Sequence, residues 1–222
     1  MKEELKITID PAFKEKGGFI AYSAMTLKNL KGVFDPVKEL NGKVKGDVET
    51  LKDDPIVRAY RDFYWKIGID PTKTRPSGEA LRRRYLRGLQ FPRINDLVDI
   101  GNVVSTLTLV PIGIYDIRFV EFPLTLTISR DDVFSGIGKK DQEKLPDGVP
   151  IMKDNSGKVL HVFPHRDSRI TSVRDDTTSA LIVGAGVQGV SPSLVTEAVD
   201  SVVFYIEKFL MGKRLIDTVV LT

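Results

Sequence analysis

A row of short polar side chains marks one face of a predicted helix over residues 94–109. The segment contains no lysine, arginine or glutamate, and the row recurs at steps of four, three and four as Asn95, Asp99, Asn102 and Thr106. A solvent-facing helix normally carries long charged side chains, and buried polar atoms need hydrogen-bond partners. The row therefore predicts either a face that lines a site or a face that hydrogen-bonds a neighbouring loop.

A strongly basic window precedes this helix. Residues 58–93 hold ten lysines and arginines against three acidic residues, and eight of the ten are arginine, although the net charge of the whole chain is only +3. The planar guanidinium suits phosphate and carboxylate, and clustered cations attract anionic partners. The window indicates a nucleic acid or another anionic ligand, with a solvated helix face as the alternative. Within it, Glu79 and Arg83 are predicted to form an ion pair on the surface.

Other motifs argue against a cofactor or a protein nucleophile. The run at 184–189 matches GxGxxG, but the helix after it begins too late to point at a pyrophosphate. His161 and His165 are the only histidines, and Pro164 between them breaks a helical face, so a metal pair would need Asp167 from a turn. The chain has no cysteine and no GxSxG motif, and Ser-His hydrolysis is not expected. We expect no metal and no nucleotide or other cofactor.

The composition is that of a globular protein. Hydrophobic residues make up 41% and charged residues 28% of the 222 residues, which excludes a disordered chain. The longest apolar runs, such as those at 181–187 and 203–206, are far shorter than the ~20 residues that span a bilayer. The charged start MKEELKITID lacks the pattern of a signal peptide. We expect a cytoplasmic protein with no membrane partner.

Hydrophobic spacing places helices mainly in the first half of the chain and strands in the second. The predicted helices are two within 36–66, one over 77–88 capped by Ser77, one over 94–109 and one over 192–211. The predicted strands are 5–10, 19–27, 112–120, 122–129, 149–152, 158–163, 180–183 and the segment IDTVVLT at 216–222. This order favours an α+β fold over a regular βαβ repeat.

Three linked motifs resemble a known family. The stretch YRDFYWKIGIDPTKTRPSGEALRRRYLRG, followed by FPRINDLVDIGNVVS and then PIGIYD, is similar to the B3/B4 domain of the phenylalanyl-tRNA synthetase beta subunit. The resemblance spans roughly residues 55–210. It implies a three-layered α+β domain with a β-sandwich or mixed sheet packed by helices. We expect one such domain over residues 1–222.

In the synthetases this domain is the editing module, which hydrolyses the ester that links tyrosine to the tRNA for phenylalanine. An apolar synthetic pocket rejects poorly a substrate that only adds a hydroxyl, which explains the need for editing. The family mechanism relies on a positioned water and the terminal ribose hydroxyl rather than on a protein nucleophile. The chemistry then rests on orientation of the ester and on donors to a developing oxyanion.

The resemblance also implies roles for individual residues. Asn102 matches the asparagine that lines the editing pocket of the family, and Asp99 precedes it on the same helix, so both are candidate catalytic residues. The bacterial synthetases carry a histidine where this chain has glycine, which changes the polarity of the pocket. The substrate-pocket residues implied are Ser77, Arg83, Gly113, Tyr115 and Asp116. The RNA-binding residues predicted from the basic window are Arg75, Arg82, Arg84 and Arg87.

Three roles remain open for such a chain. The first is a trans-editing aminoacyl-tRNA deacylase that binds the 3′ aminoacyl end of a tRNA through the arginine-rich segment. The second is a tRNA- or RNA-binding module without hydrolysis. The third is a small-molecule enzyme or binding protein that reuses the amino-acid pocket, since fold and function separate in evolution.

Overall fold

The computed structural model describes residues 5–28 and 32–222. The α-helices are α1 (Pro11–Lys16), α2 (Pro36–Leu40), α3 (Pro55–Lys66), α4 (Ser77–Leu86), α5 (Asp96–Thr108) and α6 (Pro192–Phe209), with 3₁₀ turns at Thr50–Asp53 and Ile117–Phe119. The strands are β1 (Ile7–Ile9), β2 (Gly18–Thr26), β3 (Ile112–Asp116), β4 (Leu124–Ile128), β5 (Val133–Phe134), β6 (Glu143–Lys144), β7 (Pro150–Lys153), β8 (Val159–Val162), β9 (Arg166–Asp167), β10 (Ser179–Val187) and β11 (Lys213–Leu221). The α+β class predicted from the sequence is confirmed.

Two larger sheets organise the strands. The first has the order β1-β4-β7-β8-β9, in which β1 runs parallel to β4 and the other pairs are antiparallel. The second has the order β11-β2-β10-β3 and is antiparallel throughout. Strands β5 and β6 form a separate short pair. Apolar residues of both larger sheets, for example Leu126 and Leu160 from the first and Ile20 and Leu181 from the second, belong to one buried core.

The helices cover the second sheet and support one another. Helix α6 packs on β2, β10 and β11, and α5 packs against α6, β3 and α4. Strand β10 is buried over almost its whole length, which explains why it reads as a continuous apolar run. The glycines of the GxGxxG match lie within or just after this strand. A Cβ at Gly186 would stand 2.2 Å from the Phe19 ring, so the glycine permits close packing between strands rather than phosphate binding.

Local sequence signals set the ends of the site-bearing helices. Asn95 begins α5 by accepting a hydrogen bond from the Val98 amide at 3.0 Å. The prediction that Ser77 caps α4 is wrong, because Pro76 occupies the cap position and Ser77 is already the first helical residue. Its hydroxyl makes no hydrogen bond within residues 5–28 and 32–222. The start of α4 lies tightly against the end of α5, since a Cβ at Gly78 would stand 2.5 Å from the Leu109 carbonyl oxygen.

Several element boundaries differ from the sequence predictions. The strand predicted over 112–120 ends at Asp116, whose side chain accepts the Arg118 amide at 3.0 Å and starts a 3₁₀ turn. The two helices predicted within 36–66 are separated by loops and a 3₁₀ turn. The two-residue strands β5, β6 and β9 are too short to leave a periodic pattern and were not predicted. None of the helices in the described ranges is long and apolar enough to cross a membrane.

Candidate functional site

A polar cavity of about 140 Å³ lies where α4, α5, β3 and the β8–β9 hairpin meet. Ser77 at the start of α4 is exposed and lies at the rim, while Asn102 of α5 is half-buried. The residues with polar side chains that line the cavity are Ser77, Asn102, Ser105, Tyr115, His161, His165 and Asp167. The structure therefore brings Ser77, Asn102, Gly113 and Tyr115 together out of the sites predicted from the sequence.

One wall of this cavity contains a chain of three hydrogen-bonded side chains. Asp167 Oδ1 accepts a hydrogen bond from the Tyr115 hydroxyl at 2.6 Å and lies 2.8 Å from His161 Nδ1. Because a carboxylate only accepts, Nδ1 carries the proton, and in the neutral ring Nε2 then presents a lone pair. Burial, and then the negative charge of Asp167, raises the pKa of Tyr115 well above its usual value, so the phenol remains a donor.

Strand pairing fixes this arrangement. His161 and Asp167 are directly opposite each other across the β8–β9 hairpin. Only 6% of His161 is exposed, and its ring lies edge-on to those of Tyr115 and Phe163, with centroid distances of 6.3 and 5.9 Å. Nε2 has no hydrogen-bond partner in the part of the chain that the structure describes. The ring of His161 is therefore held in place, and its Nε2 can bind a molecule that enters the cavity.

The second histidine of the cavity is uncharged near neutral pH. Burial, and then the positive charge of neighbouring Arg166, lowers the pKa of His165 to about 4. Its ring packs edge-on against Tyr64 at a centroid distance of 5.8 Å. Among the described residues, no group of three or more His, Asp or Glu side chains is arranged to hold a metal ion.

Asn102 and Ser77 contribute side chains without internal partners. Neither the Asn102 amide nor the Ser77 hydroxyl forms a hydrogen bond to another described residue. Ser77 also marks the N-terminus of a ten-residue helix, where unpaired backbone N–H groups carry partial positive charge. This end of the cavity can donate hydrogen bonds to an anionic or carbonyl oxygen. Ser77 and His161 line the same cavity but do not hydrogen-bond to each other, so they do not form an assembled Ser-His-Asp triad.

A second space adjoins the polar cavity. It measures about 300 Å³ and shares Asn102, Ile112 and Asp167 with the cavity. The apolar residues that line it are Ile94, Val98, Ile112, Ile114, Ile137 and Val173. We call it the isoleucine groove. A ligand with one polar and one apolar end would place their junction at Asn102 and Asp167.

Asp99 lies on α5 but outside both spaces. Its carboxylate is 1% exposed, accepts the Ile94 amide at 2.9 Å and pairs with the Arg93 guanidinium at 2.9 Å. Burial raises the pKa of Asp99, although the Arg93 charge opposes this. Asp99 and Asp96 both line a separate, shallow depression.

Arg83 is held by a buried carboxylate rather than by the cavity. The side chain of Glu79 is 1% exposed and accepts hydrogen bonds from Arg61 and Arg83, each at 2.8 Å. Arg75 approaches the same carboxylate at 3.7 Å. Burial acts to raise the pKa of Glu79, but these arginines hold it below its usual value. The predicted pair of Glu79 and Arg83 is confirmed, but its predicted place on the surface is wrong, because Glu79 is a buried anchor for three arginines.

The remaining predicted residues differ in burial and in the contacts that they make. Asp116 is fully buried, binds the Arg118 guanidinium and accepts the Thr177 hydroxyl, and does not line the cavity. Arg82 donates to the carbonyl oxygens at the end of α5, those of Thr106 at 2.7 Å and Leu107 at 2.6 Å. Of the predicted RNA-binding arginines, Arg75, Arg84 and Arg87 are exposed, although Arg75 approaches Glu79 and Arg84 donates to the Gln90 carbonyl oxygen. The basic window thereby joins α4 to α5 and also presents exposed cations.

Sequence reasoning considered His161, His165 and Asp167 only as metal ligands and missed their common cavity. A signal was present in the strand pattern. His161 interrupts an apolar strand, and Asp167 follows it across the turn at Pro164. A hairpin over these residues would have predicted that the two side chains face each other.

Comparisons with known proteins agree with this fold. The model of the family described as the B3/4 domain matches residues 59–210, a range that contains every residue lining the polar cavity. The solved structure of an N-terminal fragment of the phenylalanyl-tRNA synthetase beta subunit from Pyrococcus horikoshii is similar, with a TM-score of 0.55 and 14% sequence identity. The similarity covers 95% of this chain and 50% of that fragment, so the chain spans half its length. No curated protein matches the chain.

Proposed function

The chain belongs to the B3/4 domain family, and from this premise we propose that it binds tRNA and hydrolyses the ester of a mischarged aminoacyl-tRNA. The observation that carries the proposal is the polar cavity beside α4, in which donors and acceptors without internal partners surround a space of about 140 Å³. Such a space holds several waters or a small polar group. The proposed reaction is ester hydrolysis by a positioned water, carried out in the cytoplasm.

The substrate is proposed to extend from the rim of the polar cavity into the isoleucine groove. The terminal ribose enters at exposed Ser77, the ester carbonyl lies beside the Asn102 amide, and the amino-acid side chain extends into the isoleucine groove. In this pose the Asn102 amide and the N-terminus of α4 donate to the oxyanion that forms when water attacks. Donors aimed at developing charge are commonly the largest single contribution to such catalysis.

The arginines of the basic window are proposed to hold the RNA backbone. Arg84 and Arg87 lie exposed at the C-terminal end of α4, and Arg75 lies just before its first turn. These three are exposed and would contact phosphates with the N–H groups that the contacts of Arg75 with Glu79 and of Arg84 with Gln90 leave available. Arg82 would act indirectly, because its half-buried guanidinium binds the end of α5. Phosphate contacts of this kind supply affinity without sequence preference.

The direct test incubates the protein with a panel of misacylated tRNAs and measures release of the amino acid. We expect release from at least one member of the panel. Asn102→Ala should slow release by about 10- to 1000-fold, the usual effect of losing one oxyanion donor, while tRNA affinity stays close to that of the wild type. Asn155→Ala is a matched control, because Asn155 lies exposed in the turn between β7 and β8, away from the cavity.

The isoleucine groove favours one alternative, a binding site for a free amino acid or a related metabolite. In that case such a ligand would raise the unfolding temperature, and tRNA would have no effect. Tight tRNA binding with no release from any misacylated tRNA would instead identify a non-catalytic RNA-binding module. Either outcome would contradict the proposed deacylase.

A further inference from the structure

The cavity contains a side-chain arrangement able to activate water. We propose that His161 is the general base of the site, with Asp167 and Tyr115 as its positioning residues. The inference rests on the proposed ester hydrolysis and names the group that would accept the proton. The sequence motifs shared with the family do not include this histidine, which lies on β8, more than forty residues after the PIGIYD motif.

A general base must be held in a fixed orientation, and the imidazole of His161 meets this requirement. The proton on Nδ1 is committed to Asp167 at 2.8 Å, which leaves Nε2 as an acceptor. The same Asp167 oxygen accepts the Tyr115 hydroxyl at 2.6 Å, so the carboxylate is held from two sides. A histidine whose tautomer and ring plane are set by a carboxylate is the arrangement found in hydrolytic triads, where the carboxylate also stabilises the imidazolium.

A general base must also have a free nitrogen that water can reach. Polar side-chain atoms of largely buried residues are usually hydrogen-bonded, because an unsatisfied group costs about 1–3 kcal/mol. His161 is only 6% exposed, and its Nε2 finds no donor in the described chain. The cavity beside it is large enough for water, whose share of liquid volume is about 30 Å³. The nitrogen is therefore placed to bind water or a substrate hydroxyl.

The proposed reaction consumes only water and the aminoacyl ester. Nε2 takes a proton from water as the water oxygen forms a bond to the ester carbonyl carbon. The tetrahedral intermediate, with its oxyanion at Asn102, collapses and breaks the bond from the carbonyl carbon to the ribose oxygen. The imidazolium of His161 then returns the proton to that oxygen, which gives the free amino acid and the ribose hydroxyl.

The test measures single-turnover release of the amino acid from a misacylated tRNA that the wild type hydrolyses. We expect His161→Ala to lower the rate by about 100-fold or more. Free imidazole should restore part of this rate, because it can occupy the space that the side chain fills in the wild type. If His161→Ala does not fold, as judged by circular dichroism, His161→Gln keeps most of the volume and tests the same loss.

Asp167→Asn and Tyr115→Phe test the positioning residues. Asp167→Asn should lower kcat with little change in KM, because it permits the wrong tautomer of His161. Tyr115→Phe should give a smaller loss in the same direction. A folded His161 variant with wild-type activity would overturn the inference, and so would a loss of activity that imidazole does not reverse in folded His161→Ala.

An aryl acetate separates failure of this inference from failure of the proposed function. If no misacylated tRNA is hydrolysed but the aryl ester is, and His161→Ala abolishes that hydrolysis, then the proposed tRNA substrate is wrong and the general base stands. If tRNA is deacylated equally by wild type and His161→Ala, the function stands and the general base is wrong. Absence of hydrolysis with both kinds of ester would overturn the general base as well.

Discussion

Gly113 lies directly beneath the hydroxyl of Tyr115, two residues along the same strand. A Cβ at position 113 would stand 2.3 Å from the Tyr115 hydroxyl oxygen and 2.8 Å from the ring carbon that carries it. The tyrosine occupies this space to reach Asp167 at 2.6 Å. The glycine therefore permits the hydrogen bond that holds Asp167, and any larger residue at 113 excludes it.

Gly113→Ala is expected to displace the Tyr115 ring. Overpacking of this kind costs about 1–3 kcal/mol of unfolding free energy, and loss of the bond to Asp167 should lower activity as Tyr115→Phe does. Urea unfolding and single-turnover kinetics measure the two effects. In a Tyr115→Ala background the same glycine substitution should cost far less, because the three atoms nearest the added Cβ all belong to Tyr115. Equal costs in both backgrounds would contradict this explanation.

Removal of the buried carboxylate of Glu79 should destabilise the fold. Glu79→Gln leaves Arg61 and Arg83 facing an uncharged amide in a mostly buried site, and the expected loss is about 3 kcal/mol. The exposed pair of Arg58 and Asp53 provides the control, since Asp53→Asn should cost less than about 1 kcal/mol. Urea unfolding of the two variants at one pH gives the comparison. Similar losses would mean that the Glu79 cluster is energetically a surface pair.

The low pKa of His165 predicts a pH dependence of stability. Its pKa is lowered to about 4 in the folded chain from an ordinary value of 6.5, so the unfolded chain binds more protons between these values. The contribution of His165 to the free energy of unfolding is therefore fully present above this window and is lost as the pH falls through it. His165→Gln should lose less stability than the wild type between about pH 7 and about pH 4.5. Identical losses in urea unfolding would show that His165 is not a source of the dependence.

The Ser77→Ala variant tests whether water or the Ser77 hydroxyl attacks the ester. The proposed mechanism uses water, so no acyl group should accumulate on the protein when it is mixed with an ester substrate in excess. Intact-protein mass spectrometry checks this, with the wild type and Ser77→Ala compared. A covalent acyl adduct that is present in the wild type and absent from Ser77→Ala would instead show that Ser77 attacks the ester with help from His161.

The exposed arginines of α4 should control the salt dependence of tRNA binding. For Arg84→Ala and Arg87→Ala, the slope of log Kd against log salt concentration should fall by about 0.7–0.9 for each phosphate that the variant no longer neutralises. Arg130→Ala is a suitable control, because Arg130 is exposed after β4 on the other sheet. Fluorescence anisotropy over a range of salt concentrations measures the slope. Unchanged slopes for the α4 variants would remove them from the RNA interface.

Some features of the site could be predicted from the sequence, either from a local pattern or from motifs that resemble the family. The polar row on α5 pointed to Asn102, and the resemblance to the B3/B4 family pointed to Ser77, Gly113 and Tyr115. The structure places these four around one cavity. The same row also predicted Asp99, which lies on the same face of α5 one turn nearer its N-terminus. There it pairs with Arg93 and borders a separate depression rather than the cavity.

The features of the site that could not be predicted depend on contacts between residues distant in sequence. The bond between Tyr115 and Asp167 spans 52 residues and requires two sheets to meet, which no local period reports. The burial of Glu79 depends on Arg61 from α3, eighteen residues away. The GxGxxG run shows the converse, since a local motif is overridden by close packing between β10 and β2.

A structure with a stable mimic of the substrate tests most directly whether the polar cavity holds the aminoacyl ester. The probe is an adenosine whose 3′ oxygen is replaced by an amide-linked amino acid. We predict its carbonyl oxygen within hydrogen-bond distance of the Asn102 amide, its ribose near Ser77 and its side chain in the isoleucine groove. A mimic bound elsewhere on the protein, or one that does not bind at all, would contradict the account.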